Sequence, residues 1–133
     1  MLKKEAIHPS WKKYLNHPGL TYAPAVRVGK MLFISGITGV DPETGELVSA
    51  DDIVTQTRQI YHNIADVLRA AGATFAQVVQ TTDYLTTQEN YKKTEAVRRE
   101  FFGASVPASA GVIVKGLLRP NALIEVSAVA VLD

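Results

Sequence analysis

The run Leu123-Ile124-Glu125-Val126-Ser127-Ala128-Val129-Ala130-Val131-Leu132 places a single carboxylate in a segment otherwise fit for burial. Its composition predicts a strand, and the two-residue period of a strand puts Glu125 on the same face as Val129 and Val131. A carboxylate there is costly unless it is hydrogen-bonded, paired, or open to a cleft. Two readings follow. Glu125 either satisfies backbone groups near a strand end, or it is an acid whose proton affinity burial has raised toward that of a general acid–base. A second string, Pro107-Ala108-Ser109-Ala110-Gly111-Val112, carries a serine on what reads as a neighbouring strand. As a nucleophile Ser109 would need a base beside it, and the chain offers no obvious partner.

Other chemistries find less support. With 14 basic and 13 acidic residues interleaved and a net charge of +1, no Lys/Arg stripe emerges, so neither nucleic acid nor an anionic membrane is an expected partner. The absence of cysteine removes disulfides, thiolate catalysis and cysteine-based zinc sites. His8, His17 and His62 lack ligand-like spacing, so no metal site is expected. No glycine-rich phosphate loop follows a strand, and nothing resembles a serine-hydrolase elbow. No signal-peptide pattern and no run of roughly 20 apolar residues is present, which makes a cytoplasmic domain the default expectation.

The elements that must position Glu125 fit one domain spanning all 133 residues, and at 47% hydrophobic and 20% charged the chain can bury a core. Residues 1–20 read as a short strand and a loop-rich arm. Trp11 and Tyr14 there read as packing residues, with a cleft wall as the alternative. Tyr22–Arg27 and Lys30–Ser35 read as a hairpin turning at Gly29, and Asp41-Pro42-Glu43-Thr44-Gly45 as a tight turn. Ser49 and Asp52 suggest a capping box for a helix with Ile53, Ile60, Ile64, Val67, Leu68 and Ala71 on its inner face and Gly72 at its C-terminal end. Thr74 and Gln77 suggest one helical turn before a strand over Val78–Leu85. A second helix is expected over about Glu89–Phe102, with Tyr91, Ala96, Val97 and Phe101 facing inward. Strands around Ala110–Val114 and Leu123–Leu132 complete the chain.

The resulting order is β-β-α-β-α-β-β, an α+β layer with two helices on one face of a mixed sheet. The last strand is apolar at nearly every position from Ala128 to Leu132, as in a strand covered on both sides. Two helices cover only one side, so the other is expected to pack against further copies of the chain.

Several strings, in this order, resemble the Rid family (reactive intermediate deaminase, also called YjgF or L-PSP). They are Tyr22-Ala23-Pro24-Ala25-Val26, Gly29–Gly36, Asp41–Glu46, Gln56-Thr57, Asn63-Ile64, Leu68–Ala73, Val78–Leu85, Phe101-Phe102, Pro107-Ala108 and Ile124–Ala130. The resemblance implies a chorismate-mutase-like homotrimer with a central barrel and three clefts between subunits. It also implies cofactor-free hydrolysis of enamines and imines to 2-oxoacids and ammonia. Carried across, it assigns the proton- or water-handling acid to Glu125. Substrate contacts fall to Tyr22, Ser35 and Gly36, with backbone N–H groups near Gly36 and Gly111 stabilising developing charge.

This chain departs from the family pattern at two places. The arginine that forks onto the substrate carboxylate in the family falls on Ser109, and an asparagine of the second helix falls on Glu95. A short neutral serine cannot replace a charge-assisted fork worth roughly 1.5–3 kcal/mol. Arg119, in a loop one residue longer than usual, and Arg27 are the candidate substitutes. Two classes of function follow: a Rid-type hydrolase whose substrate is altered by the missing arginine, an aminomuconate-like dicarboxylate being one candidate, or a trimer that binds a metabolite or protein partner in the same clefts without catalysis. Ribonuclease activity, with which parts of the family are labelled, lacks a basic groove here.

Overall fold

The computed structural model describes residues 2–133. Six strands form one mixed sheet, β1 (Lys4–Ile7), β2 (Ala25–Val28), β3 (Met31–Ile37), β4 (Val78–Leu85), β5 (Ala108–Ile113) and β6 (Ile124–Val131), in the spatial order β1-β2-β3-β6-β4-β5. All neighbours are antiparallel except β4 and β5, whose parallel pairing is bridged by a helix. Two α-helices, α1 (Ile53–Ala70) and α2 (Glu95–Phe102), complete the α+β layer. The β2–β3 hairpin turns through Gly29, whose φ of 59° suits a residue without Cβ. Its first strand begins at Ala25, so Tyr22 lies in the approach to the sheet rather than on the expected strand.

The start of α1 differs from the expected capping box. The helix begins at Ile53, which leaves Ser49 too far upstream, and Asp52 caps instead. Asp52 Oδ1 accepts from the N–H groups of Val54 and Thr55 at 3.0 and 3.2 Å. The end matches expectation: Gly72 takes φ 74°, and the Ala73 N–H returns to the Leu68 carbonyl at 2.8 Å. Ile53, Ile60, Ile64, Val67 and Leu68 are buried, as their helical spacing requires.

The second helix is shorter than expected. Asn90 adopts φ 61°, a left-handed conformation that no continuing right-handed helix accepts. A 3₁₀ turn over Tyr91–Thr94 follows before α2 proper. This rotates the inner face: Thr94, Val97 and Phe102 are buried, whereas Ala96 is exposed. Phe101 and Phe102 close on Tyr61 of α1, each with ring centroids 5.5 Å from it.

Burial alternates cleanly along the central strands. On β6, Ile124, Val126, Ala128 and Ala130 are buried, and on β3 so are Leu32 and Ile34. α1 packs against both strands. Residues of opposite parity form an apolar face that no described helix covers. Phe33, 47% exposed, pairs there with Val129, and Met31 with Val131. Val112 of β5 is likewise exposed.

Candidate functional site

Glu125 stands on this uncovered face, paired across the ladder with Tyr84 of β4. On its other side β3 carries one extra residue between the pairs Ile34–Ala128 and Ile37–Val126, a bulge at Ser35 and Gly36. The bulge brings the backbone of Gly36 under the Glu125 carboxylate. A Cβ at position 36 would lie 2.3 Å from Glu125 Oε2, so a glycine is required there by close approach. Two buried polar side chains of α1 hold the two strands in this register. Gln56 Oε1 accepts from the Leu123 N–H at 2.8 Å, just before β6, and Asn63 Nδ2 donates to the Val40 carbonyl at 2.8 Å, just after β3.

Glu125 is half-buried, accepts no hydrogen bond and pairs with no cation among the described residues. Burial alone pushes its carboxyl above the usual range, because no neighbour offsets the loss of solvent. It lines a cavity of about 410 Å³ with Gly36, Tyr22, Tyr14, His17 and Arg119. Tyr14 is anchored to Thr38, its hydroxyl accepting the Thr38 N–H at 2.9 Å and lying 3.1 Å from Thr38 Oγ1. Ser35 opens onto a neighbouring cavity of about 460 Å³ that shares Tyr22 and His17. Its hydroxyl donates to the Ala23 carbonyl at 2.6 Å, which pins the segment carrying Tyr22.

Sequence spacing gave no signal for His17, which reaches the cavity because the arm folds back over the hairpin. Tyr14 serves as a wall as well as a packing residue. Of the two candidate arginine substitutes, Arg119 lines the Glu125 cavity but donates its Nη2 to the Gly45 carbonyl at 2.7 Å. Arg27 reaches neither cavity. Its Nε donates to the Gly29 carbonyl at 3.0 Å, and it shares a strand face with the buried Leu32.

The remaining candidates form a second cluster on the helix side of β4 and β5. Ser109 Oγ lies 3.1 Å from Thr81 Oγ1, and both border a cavity of about 210 Å³ with Glu95 and Arg98. Gly111 also faces the helices, its Cβ direction meeting the Tyr91 hydroxyl at 3.6 Å. Within one chain, then, Tyr22, Gly36, Arg119 and Glu125 come together, whereas Glu95, Ser109 and Gly111 lie elsewhere. Beneath the second cluster Asp83, only 1% exposed, accepts from the Tyr91 hydroxyl at 2.5 Å. Burial pushes the Asp83 carboxyl up, and burial together with Asp83 pushes the Tyr91 hydroxyl up to about 12. No group of three or more His, Asp or Glu among the described residues is arranged to hold a metal ion. No helix among them is long and apolar enough to cross a membrane.

Fold and site together define a small α+β protein with a solitary, partly desolvated acid over a strand bulge beside an uncovered sheet face. The chain belongs to the Endoribonuclease L-PSP family, whose model matches residues 16–132, and so to the Rid proteins. It is 41% identical over 109 residues to a RutC family protein of Pyrococcus horikoshii, covering 82% of this chain and 85% of that one. It is 34% identical over 110 residues to the 2-iminobutanoate/2-iminopropanoate deaminase of Mus musculus, covering 83% and 80%. Among solved structures, the Rid-family protein YyfA of Yersinia pestis superposes with a TM-score of 0.88 at 32% identity, covering 98% of this chain and all of that one.

Proposed function

We propose that this protein is a cofactor-independent hydrolase of small imines or enamines, working as a homotrimer with its clefts at subunit boundaries. The observation that carries this reading is the unpaired Glu125 carboxylate, raised by burial and held over Gly36. A carboxyl raised by burial holds its proton more readily than a solvated one, which suits a group that must both give and take a proton. Protonated Glu125 would protonate the enamine carbon to give the iminium ion. Its carboxylate would then take a proton from the water adding to the C=N carbon, pass it to nitrogen, and take the hydroxyl proton as the C–N bond breaks, giving the carbonyl product, ammonia and protonated Glu125. The deaminase name of the murine relative supports this chemistry at family level. The family's endoribonuclease label draws no such support from a chain of net charge +1.

The trimer is supported by the uncovered face around Phe33, Met31, Val129 and Val131. It would also bring the Ser109 cluster of one copy toward the Glu125 cavity of the next. With serine at position 109, the substrate's anionic group, if it has one, is not gripped in the family's usual pose.

The test is ammonia release from imines and enamines, carboxylated and neutral, generated in the assay. Wild type should accelerate hydrolysis of at least one of them. Glu125→Gln should lose about 10²- to 10⁴-fold in rate while remaining folded and trimeric. Full turnover by the variant would show that Glu125 is structural. Ligand binding without turnover by wild type would favour a metabolite-binding role instead.

A further inference from the structure

We propose that Arg98, carried on α2, is the anion grip of this protein, taking a carboxylate of the ligand beside Ser109 in place of a strand-borne arginine. The inference rests on the reading that the site handles a small imine or enamine.

Arg98 is prefixed on one edge and open on the other. Its Nη1 donates to Thr94 Oγ1 at 2.5 Å, and its guanidinium lies 5.0 Å from the centroid of the Tyr91 ring. Among the described residues Nε and Nη2 make no hydrogen bond. An immobilised guanidinium with unspent donors loses little freedom when it binds a planar anion.

The neutral explanation is that Arg98 exists to compensate the buried Asp83. The geometry argues against that as its whole role. Nη1 stands 3.9 Å from Asp83 Oδ2, beyond the roughly 2.7–2.9 Å of a charge-assisted hydrogen bond. Asp83 Oδ2 already accepts from the Tyr91 hydroxyl, and Arg98 approaches it through Nη1 alone, which leaves Nε and Nη2 unspent. Glu95, the one acid that lines this cavity, is engaged by Arg99 at 3.6 Å.

The rest of the cavity defines the ligand class. The Thr81 and Ser109 hydroxyls, 3.1 Å apart, spend one proton on each other and keep one to donate. Phe102, Val106 and Pro107 supply an apolar rim. A space of about 210 Å³ is smaller than the ~300 Å³ and upward of drug-sized pockets, so it suits a metabolite of a few carbon atoms. A short-chain carboxylate with a small apolar tail satisfies all three features.

The probes are 2-oxobutanoate and its neutral analogue 2-oxobutanamide, titrated by calorimetry or NMR into the intact protein. Wild type should bind the carboxylate more tightly than the amide. Arg98→Met should weaken carboxylate binding by about 10- to 150-fold and leave amide binding within about twofold, while Arg98→Lys retains part of the affinity. Arg98→Met leaves Asp83 buried without a cation, so Arg98→Met with Asp83→Asn is the second variant and should bind like the single one. With a carboxylated imine, KM should rise and kcat hold. Equal carboxylate binding by wild type and the double variant overturns the proposal, as does wild-type preference for the amide. Turnover of a neutral enamine by wild type that binds no carboxylate overturns the grip and leaves the hydrolase reading intact. Carboxylate binding lost with Arg98, in a protein that turns over no imine, does the reverse.

Discussion

An alanine at position 36 separates the role of Gly36 as a seat for Glu125 from any role in backbone conformation. The added methyl would lie 2.3 Å from Glu125 Oε2, 2.8 Å from Cδ and 3.2 Å from Cγ. Comfortable contacts between heavy atoms begin at about 3.5 Å, so the carboxylate must retreat by about 1 Å. Glu125 is half-buried and holds no hydrogen bond that anchors it, so it can swing away toward the cavity. The stability cost should therefore stay below the ~1–3 kcal/mol of overpacking in a sealed core. Catalysis should suffer more, because displacing a reacting group by about 1 Å costs on the order of 10²-fold. Ammonia release from an imine substrate would measure kcat, and a thermal melt would track the fold. The expected outcome is a loss of about 100-fold in kcat with a Tm within a few degrees of wild type. Partial recovery on adding Glu125→Asp, one methylene shorter, would confirm that the clash acts through the carboxylate. Full turnover by Gly36→Ala would refute the assignment, since no proton-transfer group can tolerate such displacement unnoticed.

Three further perturbations address what holds the site. Tyr14→Phe removes the acceptor of the buried Thr38 N–H and should cost about 1–3 kcal/mol in urea unfolding, an unchanged midpoint showing that water replaces the hydroxyl. Burial raises the Asp83 carboxyl, so the folded chain holds that proton more tightly than the unfolded one. Its contribution to stability is full below the ordinary Asp range near pH 4 and is lost as pH rises through the raised value, and Asp83→Asn should flatten that decline across unfolding curves taken from about pH 4 to 7. Phe33→Asp places a charge on the uncovered apolar face, 47% exposed in the single chain. Light scattering should then give one 14.4 kDa chain where wild type gives three, and a monomeric wild type would sink the trimer.

The legible part of this fold is the part governed by short periods. Alternation along Ile124–Val131 is enough to put Glu125 opposite the helix-facing residues, and the spacing of Ile53, Ile60, Ile64, Val67 and Leu68 gives the buried stripe of α1. Boundaries are harder, because single residues set them. Asn90 in a left-handed conformation delays α2 and turns Ala96 outward, and nothing in the surrounding pattern announces that choice. The site is less legible than the fold. Gly36 and Glu125 are 89 positions apart and meet only through a bulge, and His17 joins them through a loop path with no periodicity. Arg27 looks as useful as Arg119 in a list of cations, yet strand parity turns it away from both cavities.

The division of polar residues between the two sides of the sheet links assembly to chemistry. On the uncovered side stands a solitary acid, and on the helix side of β5 a guanidinium stands beside a pair of hydroxyls. A ligand with a reactive C=N group and a carboxylate needs both clusters within a few ångströms, and in one chain they open on opposite faces. β5 is the edge strand of the sheet and is exposed along its whole length. An exposed edge beside an uncovered apolar face is unfavourable in water. Under the trimer reading, one contact between copies relieves both problems, and the same contact completes the site by carrying the Arg98 cluster across to the neighbour's Glu125. A monomer made by a charge at Phe33 should then lose turnover as well as assembly, although every residue assigned to the chemistry is left in place.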